Sequence, residues 1–235
     1  MKEIRFTSSL SRGETIFALI YFVCHIVLVP LLLLALSLVI PWLDGANLEV
    51  VYYGIGLVCV LIFCRKFLRR DFDPLCDRPF RVLSEVVVSY FIMMAMNLFV
   101  ALLMQAFQAP VTENVNNETI AELADVSTGK TIAIAVFMAP MVEEIIFRAG
   151  IFGTIRKRNR LAAYIVCVLA FAAYHVWSYA IDDPSYWLYI IQYIPAGFLL
   201  CRCYERTNSI WGSVFFHMLV NTVSLQALSL LEELM

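Results

Sequence analysis

Apolar residues in this chain come in long unbroken runs rather than in the alternation of a half-buried strand. The stretch TIFALIYFVCHIVLVPLLLLALSLVI, Thr15 to Ile40, contains one histidine and no charge. About 20 apolar residues cross a hydrocarbon core as a helix. By that measure the sequence predicts about seven spans, at about 16–40, 48–64, 82–107, 131–155, 161–180, 186–203 and 210–231. The first run is too long for a signal-peptide core and no small-residue cleavage site follows it, so it is expected to be retained. The links are short, with the longest outer loop at about 108–130, and no repeat is evident. The expected fold is all-α, a polytopic transmembrane helical bundle forming a single membrane-embedded domain over 1–235.

Composition agrees, with 62% hydrophobic and 15% charged residues and a mean hydropathy of +0.81, far from the soluble norm. The net charge of -2 conceals a segregation that predicts orientation. A cytoplasmic N-terminus places Lys2, Arg5 and Arg12 inside, with Arg65, Lys66, Arg69, Arg70, Arg78 and Arg81, then Arg156, Lys157, Arg158 and Arg160, then Arg202 and Arg206. Of the basic residues only Lys130 then lies outside, with the acids Asp44, Glu49, Glu113, Glu118, Glu122, Asp125, Asp182 and Asp183 and the tail LEELM. The C-terminus is therefore expected outside. Basic clusters so placed call for anionic lipid, with no nucleic-acid partner.

Seven cysteines, Cys24, Cys59, Cys64, Cys76, Cys167, Cys201 and Cys203, follow neither a disulfide framework nor zinc-site spacing and read as small buried hydrophobes. His25, alone among aliphatic residues, reads as a helix-to-helix hydrogen bond.

The chemistry lies in the later spans. APMVEEIIFRAG, Ala139 to Gly150, puts Glu143, Glu144 and Arg148 at membrane depth, where each charge costs roughly 2.5 to 3.5 kcal/mol on insertion scales. Glu144 and Arg148 are four apart and able to pair, whereas Glu143 is rotated by about 100 degrees from Glu144 and remains free. Phe171 and His175 share one face of the fifth span, and His217 and Asn221 share one face of the last. A carboxylate and an imidazole can deprotonate water and later protonate a leaving amine. A second imidazole and a carboxamide can stabilise an oxyanion. No serine or cysteine stands in a comparable motif, which favours water as nucleophile. The same side chains, Glu143, His175 and His217, could instead hold zinc with an open water position.

Pro140 with Glu143-Glu144-x-x-x-Arg148, then Phe171-x-x-x-His175, then His217-x-x-x-Asn221, in this order, resemble the three motifs of the CPBP intramembrane proteases, also called Abi. That family comprises CAAX-processing endopeptidases and bacterial bacteriocin-processing or self-immunity proteins. The resemblance covers about 131–225 and finds no motif in the first three spans. It implies that Glu143 activates water with His175, and that His217 and Asn221 form the oxyanion site. It further implies that Glu144, Arg148 and Phe171 support them, and that the site opens to the cytoplasm. Members are usually named metalloproteases although a metal-free glutamate mechanism has been argued, so zinc remains an option and no cofactor is assigned.

The expected partners are membrane lipid and a membrane-associated peptide or protein terminus, such as a pheromone or bacteriocin leader. The compact chain suits a bacterial cytoplasmic membrane. The alternatives are a proton- or ion-coupled transporter, and a non-catalytic bacteriocin self-immunity protein or scaffold. No second copy of the acidic motif, as inverted-repeat transporters would carry, is present.

Overall fold

The computed structural model describes residues 6–107 and 127–234. Lys2, Arg5 and the loop acids Glu113, Glu118, Glu122 and Asp125 lie outside the described residues, as do the side chains of the LEELM tail. Of the described structure 88% is helical, with no strands. In chain order the elements are α1 (Arg12–Ser37), α2 (Gly45–Phe63), the short α3 (Arg65–Arg70) and α4 (Asp73–Asp77), α5 (Pro79–Ala106) and α6 (127–156). After these come α7 (Arg160–Asp182), a 3-10 turn (Pro184–Tyr189), α8 (Ile190–Thr207) and α9 (Ile210–Leu234).

Helices α1, α2, α5 and α7 are long and apolar enough to cross a membrane. They are four of the seven expected spans, and the other three fall on α6, on the 3-10 turn with α8, and on α9. Only 17% of the most apolar window of α1 and of α5 is buried within the protein. Side chains such as Leu31, Leu34, Leu38, Phe91 and Phe99 point outward. Apolar surface of that extent is stable against lipid rather than water, and the chain is a multi-pass membrane protein.

Helix α6 is the exception, because every residue from 139 to 153 is buried. It runs through the middle of the bundle, with α1, α2, α7, α8 and α9 packed around it. The charges that looked costly in lipid are therefore sheathed by protein. Close approach depends on small residues: a Cβ on Gly56 of α2 would come 3.0 Å from Val142, and one on Gly150 would come 3.1 Å from Ala18 of α1.

Two prolines shape the backbone in the same way. A π turn precedes Pro30 (Cys24–Leu28) and another precedes Pro140 (Ala133–Met138). In that register each N–H bonds the carbonyl five residues back, as Val29 does to Cys24 and Ala139 to Ile134. Proline has no N–H, so the next carbonyl in each series, His25 and Ala135, lacks its helical donor. A side chain from another helix supplies it: Tyr52 of α2 donates its hydroxyl to the His25 carbonyl at 2.9 Å, and Asn221 of α9 donates its amide to the Ala135 carbonyl at 2.7 Å. Each proline thus fastens its helix to a neighbour.

The basic clusters gather at one end of the bundle. Arg70 donates to the Ser9 carbonyl, Arg206 and Arg202 pair with Glu85, and Arg156 and Arg160 pair with Glu205. Although burial opposes ionisation, the two guanidiniums beside Glu205 hold its carboxyl below the ordinary range. Lys130 bonds Asn47 at the other end. Between the basic segments Asp71 is buried and accepts from the Ser8 hydroxyl and the Ile210 N–H, capping the start of α9 from a distant part of the chain. Burial pushes its carboxyl up to about 6 despite those donors.

Candidate active site

Glu143, Glu144 and Arg148 project from α6, Phe171 and His175 from α7, and His217 from α9. Glu144 and Arg148 face each other as their spacing predicts, with Arg148 Nη1 3.0 Å from Glu144 Oε1 and both side chains fully buried. The approach lacks hydrogen-bond alignment and is chiefly coulombic. The guanidinium instead lies over the Phe171 ring, 4.0 Å from its centroid, close enough for a cation–π attraction. This gives Phe171 a physical reason to accompany the charged motif.

Glu144 has two further partners that spacing does not predict. Its Oε1 lies 2.9 Å from His217 Nδ1, and its Oε2 accepts from the Ser213 hydroxyl. His217 Nε2 in turn lies 4.0 Å from Glu143 Oε2. The adjacent carboxylates therefore address the two nitrogens of one imidazole. An ionised Glu144 only accepts, so the proton of neutral His217 sits on Nδ1 and the Nε2 lone pair faces Glu143.

His175 is oriented in the same sense. Its Nδ1 lies 2.8 Å from the Phe171 carbonyl, which can only accept, leaving the Nε2 lone pair 3.9 Å from Glu143 Oε2. Tyr193 of α8 stacks on this ring at 4.7 Å between centroids. Glu143 Oε2 is buried and has no hydrogen-bond partner among the described residues. Its other oxygen, Oε1, accepts from the Tyr53 hydroxyl of α2 at 3.2 Å.

The structure thus brings together Glu143, Glu144, Arg148, Phe171, His175 and His217. Asn221, one helical turn beyond His217, spends one amide hydrogen on the carbonyl freed by Pro140, leaving the second hydrogen for another acceptor. His25 makes the interhelical contact expected of it, with its Nε2 3.3 Å from the Tyr174 hydroxyl of α7. Ser213, Tyr53 and Tyr174 are additions to the sequence reading. A faint signal existed for two of them, since VYYG and FAAYH place tyrosines, which carry a polar handle, inside apolar spans.

For zinc, bonds of about 2.0 to 2.1 Å in tetrahedral array set donor atoms about 3.3 Å apart. The separations of 3.9 and 4.0 Å from Glu143 to the two imidazoles are wider. Among the described residues no group of three His, Cys, Asp or Glu side chains is set to hold a metal ion. Two hydrogen bonds of about 2.8 Å to one oxygen, meeting near a right angle, do span about 4 Å, so the arrangement suits a water.

Residues 127–223 match the family described as Rce1-like, type II CAAX prenyl endopeptidase. Over 92 residues the chain is 32% identical to a Bacillus subtilis protein named "Putative membrane peptidase YdiL", covering 39% of this chain and 34% of that one. Over 95 residues it is 27% identical to "UPF0177 protein YxdF" of Lactococcus lactis, covering 40% of this chain and 48% of that one. The matches thus span between a third and a half of the length of these relatives. No solved structure matches. The region matched by that family takes in α6, α7, α8 and the first half of α9, and with them all three motifs.

Proposed function

We propose that the protein is an intramembrane endopeptidase that hydrolyses a peptide bond of a membrane-associated peptide or protein terminus with a water activated by Glu143. The observation that carries this reading is Glu143 Oε2, buried without a partner among the described residues and faced by two imidazole nitrogens at 3.9 and 4.0 Å. A buried carboxylate oxygen with no structural bond gives little stability and suits a proton acceptor.

In this mechanism water lies between Glu143 Oε2 and the two Nε2 atoms. Glu143 takes one water proton as the oxygen attacks the scissile carbonyl carbon, and the carbonyl electron pair moves onto its oxygen. His217, when protonated at Nε2, donates to that oxyanion, with Glu144 balancing the imidazolium through Nδ1. Asn221 offers its second amide hydrogen from the next turn of α9. His175 receives the proton from Glu143 and passes it to the leaving nitrogen as the C–N bond breaks, giving an amine and a carboxylic acid whose remaining proton is then lost to give the carboxylate. Glu144, Arg148 and Phe171 hold these groups in place.

With the N-terminus cytoplasmic, the basic end of the bundle is cytoplasmic, and a bacterial cytoplasmic membrane suits the chain. The family description supports a C-terminal, prenyl-type substrate as the class to try first. The test uses purified protein in lipid nanodiscs and internally quenched peptides ending in a farnesylated cysteine motif or in the same motif unprenylated, with bound zinc measured in the same samples. Cleavage that persists after exhaustive chelation, without stoichiometric zinc, supports the water–carboxylate chemistry. Stoichiometric zinc whose removal abolishes cleavage reassigns Glu143, His175 and His217 as ligands. Cleavage undiminished in Glu143→Gln overturns the assignment of the base.

A further inference from the structure

The first two helices carry none of the family motifs, yet they reach the candidate base. Tyr53 of α2 donates to Glu143 Oε1 at 3.2 Å. Tyr53 and Tyr174 bring their hydroxyls to 3.3 Å, and Tyr174 lies 3.3 Å from Nε2 of His25 on α1. His25 is buried, stacked on Tyr52 at 4.4 Å, and its Nδ1 has no partner among the described residues.

The direction of this chain follows from counting hydrogens. The one hydrogen of Tyr53 goes to Glu143, so Tyr53 can only accept from Tyr174. Tyr52 spends its hydrogen on the His25 carbonyl. Tyr174 then has two hydroxyl acceptors in reach, Tyr53 at 3.3 Å and Tyr52 at 3.5 Å. It gives its hydrogen to the nearer, Tyr53, and accepts one from His25, which requires the hydrogen of His25 to sit on Nε2. That tautomer leaves a bare lone pair at the unpartnered Nδ1 rather than a buried N–H without an acceptor, the better of the two outcomes. Every link points the same way, from His25 through Tyr174 and Tyr53 to Glu143 Oε1.

We infer that His25, Tyr174 and Tyr53 form a positioning arm for the reaction, which holds Oε1 of Glu143 and so makes Oε2, facing His175 and His217, the oxygen that accepts the water proton. The inference rests on the reading of Glu143 as base, and it assigns α1 and α2 a part in catalysis. His25 itself is anchored by the π turn before Pro30, whose freed carbonyl holds Tyr52, so the proline that distorts α1 also sets the far end of the arm. The arm acts through Glu143 Oε1, not on the oxygen that faces His175 and His217. It removes a carboxylate rotation that would otherwise exchange the two oxygens.

The experiment compares wild type, Tyr53→Phe, Tyr174→Phe and Glu143→Gln in nanodiscs, with the farnesylated quenched peptide as probe and infrared spectra of each protein. The Glu143 carboxyl band is identified as the one missing from Glu143→Gln. The arm predicts that Tyr53→Phe lowers kcat about tenfold, about 1.4 kcal/mol in the barrier, at unchanged KM and with a displaced Glu143 band. Tyr174→Phe gives a smaller change of the same kind, and serves if Tyr53→Phe does not fold. Wild-type kcat and an unmoved Glu143 band in both phenylalanine variants, with Glu143→Gln inactive, overturn the arm while leaving the base in place. An active Glu143→Gln overturns the base, and the arm with it.

Discussion

Replacing Arg148 by methionine removes the cation from a pair in which both side chains are fully buried, while nearly keeping the volume over Phe171. Breaking a buried pair from one side costs about 3 to 5 kcal/mol, because the remaining charge is left uncompensated. Here Glu144 keeps two donors, His217 Nδ1 and the Ser213 hydroxyl, which solvate part of its charge. The lower end, about 3 kcal/mol, is therefore expected, or a fall in Tm of about 6 to 12 °C for a chain of this size. Adding Glu144→Gln removes the stranded charge and keeps an oxygen for those two donors, so the double variant should regain more than half of the loss. Thermal unfolding in detergent of the four members of this cycle measures the coupling. A Tm for Arg148→Met within about 2 °C of wild type, or a double variant as unstable as the sum of the singles, refutes the reasoning.

Asn221→Ala should destabilise by about 1 to 3 kcal/mol in denaturant titrations, because the Ala135 carbonyl loses its donor. In a Pro140→Ala background the restored N–H can serve that carbonyl, and the cost of Asn221→Ala should shrink; an equal cost in both backgrounds removes the proline account. The Asp71 carboxyl, at about 6 when folded against an ordinary 3.8, holds its proton more tightly in the folded protein. The stability it gives is complete below 3.8 and is lost as pH rises through about 6, about 3 kcal/mol at about 1.36 kcal/mol per unit. Asp71→Asn should flatten the unfolding midpoint over that interval, and an unchanged slope contradicts the assignment.

Much of this architecture is legible in the sequence because hydrophobic length and basic-residue placement are properties of segments. Four spans and the gathering of the basic clusters at one end follow from them directly. The pairing of Glu144 with Arg148 follows from helical spacing, and so does the rotation of Glu143 away from it. Spacing within one helix cannot say how a neighbour is turned, however. The grip of Glu144 on His217 and the reach of Tyr53 to Glu143 are cross-helix contacts of that kind. The burial of α6 was also hidden, since its apolar residues would serve equally well against lipid or against other helices. Pro30 and Pro140 marked places where a carbonyl would need a new donor, but not that Tyr52 and Asn221 would provide it.

The central claim is that Glu143 is the base of a peptide-bond hydrolysis. Its most direct test is terminal-peptide proteomics of cells making the wild-type chain or Glu143→Gln, with both proteins confirmed as folded in the membrane at equal levels. The account predicts a set of new peptide termini present with wild type and absent with Glu143→Gln. The same termini at the same abundance in both cells would contradict it.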